Sequence, residues 1–293
     1  MFSGSLVALV TPMHPDGAVD YDAWGRLLEF HVAEGSAGVV VGGTTGESAT
    51  LLDAELHELT RRAVQQVHGR LRVIAGAGSS STAATIARVR MLCELPVDAL
   101  LIVTPAYNRP TQEGLFRHFS AAAQAAAGVP LVLYNVPART AVDLLPATVA
   151  RLAEQPGIAA LKEAVPDLAR LRELAARCGP NFTLLSGDDA SSRAALGAGA
   201  RGVISVTANV APRRMSEMVS AACAGDAQAA QRADTPLQEL HQALFIEANP
   251  IPVKWLLARM GLIGAGIRLP LTPLGAEHQP RVQAGARAAG LSV

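Results

Sequence analysis

The chain has 293 residues, 50% of them hydrophobic but only 4% aromatic, and its 25 Lys plus Arg balance 25 Asp plus Glu. That length fits one large α/β domain or two small ones, and a net charge of zero leaves no electrostatic footprint for nucleic acid or an anionic membrane surface. Cys93, Cys178 and Cys223 lie far apart, with neither metal-ligand spacing nor a disulfide framework, so a reducing cytoplasm is expected. No secretory signal is expected from Met1-Phe2-Ser3-Gly4, and no apolar run is long enough to span a bilayer.

Short apolar runs recur along the chain, separated by segments of helical period. The predicted strands are Leu6–Val10, Gly38–Val41, Leu71–Ala75, Ala99–Val103, Leu131–Tyr134, Ile158–Leu161, Phe182–Leu185 and Gly202–Ser205. They are too short for helices and do not alternate polar with apolar, which is how strands buried on both faces read. Predicted helices include Tyr21–Ala33, Asp53–Val67, Ala83–Leu92 and Gln112–Ala126, with Asp20, Asp53 and Ser81 or Thr82 as N-cap candidates. Eight strand–helix alternations predict a parallel sheet. A closed (β/α)8 TIM barrel, which takes roughly 250 residues, fits best. An open doubly wound sheet is the competing architecture. After Gly225 the strands stop, and Asp226–Glu247, Ile251–Gly261 and His278–Ala289 read as helices. The expected division is a catalytic barrel over residues 1–224 and a C-terminal helical extension over 225–293.

Only two of the basic residues are lysines, Lys162 and Lys254. Lys162 ends the apolar run Ile158-Ala159-Ala160-Leu161, where catalytic side chains of such barrels sit. An arginine cannot be deprotonated in a protein, whereas a lysine amine can, and its free base attacks a carbonyl to form an imine. Other strand ends carry Gly42-Gly43-Thr44-Thr45-Gly46-Glu47-Ser48, Thr104-Pro105-Ala106-Tyr107, Tyr134-Asn135-Val136-Pro137-Ala138-Arg139 and Ser186-Gly187-Asp188-Asp189. Together these types suit a 2-keto acid. Lysine forms the imine, the glycine-rich turn presents donors to a carboxylate, a tyrosine hydroxyl moves protons, and an arginine binds a second carboxylate.

Singly, each feature has a plainer explanation: a tight turn at Gly43–Gly46, a half-buried amphipathic Tyr134, a packed Tyr107, a solvated Arg139, a lysine snorkelling from the rim. Their shared place at the ends of successive strands favours function. Lys254, in Pro252-Val253-Lys254-Trp255-Leu256, reads as structural. Gly197-Ala198-Gly199-Ala200-Arg201-Gly202 fits a dinucleotide fingerprint but precedes a strand, so it reads as a helix C-terminal turn. Asp188 or Asp189 reads as a cap for the next helix instead of a metal ligand.

The Gly-Thr-Thr-Gly-Glu turn at 43–47, Tyr107-Asn108-Arg109-Pro110, Tyr134-Asn135-Val136-Pro137, Lys162-Glu163-Ala164, Ser186-Gly187-Asp188-Asp189, Gly202-Val203-Ile204-Ser205-Val206 and Asn249-Pro250-Ile251-Pro252-Val253-Lys254-Trp255 carry a resemblance over essentially the whole chain. The sequence resembles the dihydrodipicolinate synthase family of pyruvate-dependent class I aldolases. The resemblance implies condensation of pyruvate with L-aspartate 4-semialdehyde to 4-hydroxy-tetrahydrodipicolinate, in lysine and diaminopimelate biosynthesis, with no metal or organic cofactor. It implies Lys162 as the imine-forming lysine, Tyr134 as general acid/base, and Thr44 as a relay to Tyr107, which members insert into a neighbouring subunit's site. It implies Thr45 on the pyruvate carboxylate, Arg139 on the second carboxylate, backbone contacts from Gly187 and Ile204, and a homotetramer built as a dimer of dimers. A sister aldolase, acting on N-acetylneuraminate or a 2-keto-3-deoxy sugar acid, shares the Lys and Tyr machinery. Arg139 and the Thr44-Thr45 pair favour the synthase.

One departure stands out. Lysine-inhibited members carry His, His, Asn, Glu and Tyr where this chain has Asp53, Leu56, Ser80, Ala84 and Ala106. Each unmatched polar partner weakens a bound lysine by about 1–3 kcal/mol, so weak or absent inhibition is expected.

Overall fold

In the computed structural model, which describes residues 2–293, eight parallel strands close into a barrel: β1 Gly4–Ala8, β2 Gly38–Val41, β3 Arg72–Gly76, β4 Ala99–Val103, β5 Leu131–Asn135, β6 Ile158–Glu163, β7 Thr183–Ser186 and β8 Gly202–Ser205. Each strand pairs with the next and β8 pairs with β1, so the fold is a (β/α)8 TIM barrel and the open sheet is excluded. β1 starts two residues before the apolar run suggests, because Gly4 and Ser5 pair with Gly202 and Val203 of β8. β5 and β6 run past their apolar stretches because Asn135 and Glu163 pair with each other.

Strand period two divides the core into two layers. Leu6, Val40, Ile74, Leu101, Val132, Ala160 and Ile204 fill the barrel interior. Their neighbours, such as Val7, Val39, Leu100, Leu133 and Leu161, face the surrounding helices. Both faces are therefore apolar, as the uninterrupted runs require. Gly76 allows β3 to meet β2 closely, since a Cβ there would lie 2.1 Å from the Gly42 carbonyl oxygen.

Asp20 and Ser81 cap their helices, accepting from the backbone N–H of Ala23 and Ala84. Asp53 does not cap. It is the first helical residue, and the Glu55 carboxylate instead reaches back to the Leu52 N–H. The helix expected over 226–247 is broken. It runs as Ala227–Asp234, a 3₁₀ turn Thr235–Leu237 and Gln238–Ala243, with Pro236 unable to donate to a regular helix. Ile251–Arg259 and Gln279–Ala288 complete the helices, and no strand follows β8. Among the described residues no helix is long and apolar enough to cross a membrane.

Two buried histidines give the fold a pH dependence. Burial holds His31 down to about 3 and His118 down to about 4. An unfolded histidine titrates near 6.5, so below that pH the unfolded chain binds protons that the folded chain refuses. Both contributions are fully present above the unfolded value and are lost as pH falls. Thermal midpoints measured as a function of pH should already decline between about 6.5 and 5, above the carboxylate range. A flat profile there contradicts this account.

Candidate active site

The site is built at the C-terminal ends of the strands. After β2 the chain turns tightly: the N–H groups of Gly46 and Ser48 donate to the Gly43 carbonyl, and Glu47 N–H donates to that of Thr44. Thr11 Oγ1 fastens this turn from β1's side by donating to Gly46 O at 2.7 Å. Glu47, with a left-handed φ of 58°, is buried and forms an ion pair with Lys254 on the helix Ile251–Arg259. Its second oxygen accepts from the Arg268 N–H at 3.1 Å. Burial pushes the Lys254 amine down while the Glu47 carboxylate pulls it back up. The structural reading of Lys254 therefore holds, and its partner lies inside the glycine-rich turn.

Tyr134 and Lys162 are direct partners in the β5–β6 register. Both share the parity of the interior-facing Val132 and Ala160, so both point into the barrel. The amine of Lys162 stands 4.3 Å from the Tyr134 ring centroid, a cation–π distance, and both side chains are buried. Gly187, just past β7, leaves room for this arrangement. A Cβ there would meet Lys162 Cε at 2.9 Å and Lys162 Cγ and Ala164 Cβ at 3.1 Å.

Arg139 lies on the short helix Pro137–Thr140 after β5, exposed at the mouth, and its Nη2 donates to the Asn249 carbonyl at 3.3 Å. The same Asn249 donates from its side-chain amide to Thr45 Oγ1 at 2.9 Å. With its oxygen occupied by that donor, the Thr45 hydroxyl keeps its own proton free to donate elsewhere.

A cavity of about 600 Å³ brings together Thr44, Thr45, Tyr134, Arg139, Lys162 and Gly187. Ile204 does not border it. Its side chain is packed in the barrel interior. Tyr107 also stands outside, 93% exposed, on a loop where its φ is +75° and that of Arg109 is +46°. Sequence reasoning missed the far wall, Phe245–Asn249. Part of that segment fell within the helix expected over 226–247, and Asn249 entered as the start of a motif carrying the family resemblance, with no role in the site attached to it. Asp188 accepts from the Ser191 N–H and hydroxyl, but the N-cap of the helix Ser192–Gly197 is Ser191 and no side chain caps it, so Asp188 braces the preceding turn and is not the expected cap. Asp189 is not a cap. Its carboxylate accepts from Val206 and Thr207 N–H and ties the end of β7 to the turn after β8. Among the described residues no group of three or more His, Cys, Asp or Glu is placed to hold a metal ion. The chemistry on offer is that of a buried amine beside a phenol, with the hydroxyls of Thr44 and Thr45 in the same cavity and a guanidinium at the opening.

Three comparisons agree. The model of the Dihydrodipicolinate synthetase family matches residues 1–289. A 4-hydroxy-tetrahydrodipicolinate synthase of Laribacter hongkongensis is 53% identical over 291 residues, covering 99% of this chain and 100% of that protein. The crystal structure of the chloride-inhibited dihydrodipicolinate synthase of Acinetobacter baumannii complexed with pyruvate superposes with a TM-score of 0.98 at 43% identity, covering 100% of both chains. That of the Cyanidioschyzon merolae enzyme with lysine bound gives 0.96 at 39%, covering 99% of each.

Replacing Gly187 by Ala should push Lys162 off its seat while leaving the fold intact. Borohydride trapping of a 2-keto acid on Lys162 should slow by about 10–100-fold, because a displacement near 1 Å can cost about 10² in rate. An unchanged trapping rate would mean that the lysine does not depend on this contact.

Proposed function

The chain belongs to the dihydrodipicolinate synthetase family, and from that premise we propose that it condenses pyruvate with L-aspartate 4-semialdehyde to 4-hydroxy-tetrahydrodipicolinate, in lysine and diaminopimelate biosynthesis. The observation that carries this reading is the buried Lys162 amine over the Tyr134 ring, in one cavity with Thr44, Thr45 and Arg139. The pyruvate carboxylate sits on Thr45 and its backbone N–H, beside Thr44. The free-base amine of Lys162 adds to the pyruvate ketone. Tyr134 supplies the proton with which the carbinolamine loses water, leaving the imine. Loss of a proton from the pyruvate methyl carbon gives the enamine, which attacks the aldehyde of the second substrate while Arg139 holds that substrate's carboxylate. The substrate's own amine then displaces Lys162 and closes the ring, freeing the lysine.

Thr44 passes protons between Tyr134 and a Tyr107 supplied by a neighbouring copy. Tyr107 supports this by its placement: a phenol 93% exposed, on backbone with positive φ, contributes nothing to its own subunit's core. The working unit is then at least a dimer, within a cytoplasmic homotetramer arranged as a dimer of dimers. Gly187 frames the site through its backbone, Ile204 packs in the same interior cluster as Tyr134, and no cofactor takes part. The barrel over 1–224 carries the reaction, and the region 225–293 supplies the wall around Asn249.

Feedback by lysine is weak or absent. Asp53 stands where lysine-inhibited relatives carry a histidine, and its carboxylate accepts from Arg88 Nε at 2.7 Å. Leu56 is buried and Ala84 has no polar group to offer.

A coupled assay, in which a reductase consumes the product, should show turnover that requires both substrates. Tyr134→Phe should lower kcat by about 10²–10⁴-fold, the usual range for a lost general acid/base. Preferential cleavage of N-acetylneuraminate or of a 2-keto-3-deoxy sugar acid would assign the chain to a sister activity instead. In the same assay, added L-lysine should leave the rate nearly unchanged into the millimolar range, and strong sub-millimolar inhibition would refute the feedback reading.

A further inference from the structure

Strand alternation places one residue behind each member of the reacting pair. Asn135 follows Tyr134 and Glu163 follows Lys162, so both face out of the barrel, and they are partners in the next rung of the β5–β6 register. Asn135 is 0% and Glu163 3% exposed. Asn135 Nδ2 donates to Glu163 Oε1 and Oε2 at 3.0 and 3.1 Å and to Asp143 Oδ1 at 2.8 Å, and its Oδ1 accepts from the Leu144 N–H at 2.9 Å. Arg170, on the helix Leu168–Cys178, closes the group from outside. Its Nε donates to Glu163 Oε2 at 2.9 Å, Nη1 and Nη2 donate to the two oxygens of Asp143 at 2.9 and 2.8 Å, and Nη2 reaches Leu144 O at 2.7 Å. Glu163 Oε1 also accepts from the Val165 N–H at 2.9 Å. Burial pushes the Glu163 carboxyl up, and the Arg170 guanidinium and the other donors work against that rise.

The placement of this network is more specific than stability requires. It sits where the β5–β6 ladder ends, and no further rung holds the two strands together. It grips both ends of the segment 135–144, which carries Arg139 between them. Arg–carboxylate pairs of this bidentate kind fix geometry as well as add energy. A fully satisfied buried network also rigidifies what it joins.

We propose that Asn135, Asp143, Glu163 and Arg170 form a positioning clamp that sets Lys162 against Tyr134 and holds the Arg139 segment at the mouth of the site. These residues touch no substrate and act through the three that do. The inference rests on the reading of Lys162 as the imine-forming residue.

Two variants test it. In Glu163→Gln, every group facing the carboxylate is a donor, so the new amide nitrogen meets a donor whichever way it turns. Asp143→Asn removes one charge from the bidentate pair at a half-exposed position. Active sites are counted by complete borohydride trapping of pyruvate, with the mass shift mapped to Lys162. The rates of trapping and of turnover are then expressed per trapped site. Both variants should trap to completion, with trapping rate and kcat reduced about 10–100-fold. KM for pyruvate should stay within about threefold, because the Thr44–Thr45 turn lies outside the clamp. KM for the semialdehyde should rise in Asp143→Asn. Wild-type rates per trapped site in either folded variant overturn the clamp while leaving the Lys162 reading standing. If Glu163→Gln does not fold, Asp143→Asn decides alone. Absence of label on Lys162 in the unmodified protein overturns the reading itself, and the clamp with it.

Discussion

One rung of the β5–β6 ladder governs the site. Tyr134 and Lys162 face each other there, both turned inward by strand alternation, and the barrel's closure leaves them nowhere to go but the cavity at its C-terminal mouth. The amine rests on the face of the phenol ring because Gly187 supplies no Cβ to displace it. A change in register by one residue would turn both side chains outward and bring Asn135 and Glu163 into the barrel. That slip would strip Asn135 and Glu163 of their bonds to Asp143 and Arg170 and bury them in the apolar barrel interior, so the polar pair behind the rung fixes the register that places Tyr134 and Lys162.

The remainder of the site is fastened to this rung from a distance. Asn249, contributed by a segment that follows the last strand by more than a helix, bonds Thr45 with its side chain and Arg139 with its carbonyl. It thereby links the two places expected to hold carboxylates. The Lys254–Glu47 pair fixes the same turn from the helix Ile251–Arg259. Buried ion pairs are weak arguments for stability, since desolvation opposes the attraction, but breaking one leaves an uncompensated charge. Here the pair has a local purpose: it holds the glycine-rich turn against the helix Ile251–Arg259. The chain's two lysines thus stand in different environments, one paired with a carboxylate and one facing an aromatic ring and open space.

What was legible in the sequence follows from how local each signal is. Eight apolar runs with helical segments between them were enough for the barrel, and the strand-end residues Thr44, Thr45, Tyr134, Arg139, Lys162 and Gly187 do meet in one cavity. Strand limits were less legible, because pairing with distant strands extends β1, β5 and β6 beyond their apolar cores. Asp53 resembled a cap by type, yet Glu55 at the third helical position makes the bond. The Asn249 wall was hidden by a helical pattern that Pro236 interrupts. The Asn135–Asp143–Glu163–Arg170 network joins residues up to 35 positions apart and leaves no periodic trace. Tyr107 and Ile204 lie outside the cavity of a single chain, and their roles rest on family resemblance.

The most direct measurement is peptide mass mapping after borohydride reduction in the presence of pyruvate. With only two lysines in the chain, the site of attachment is unambiguous. The account predicts one reduced pyruvyl adduct per chain, on the peptide containing Lys162, and an unmodified Lys254. An adduct on Lys254 alone, or no adduct with folded protein and excess pyruvate, would contradict it.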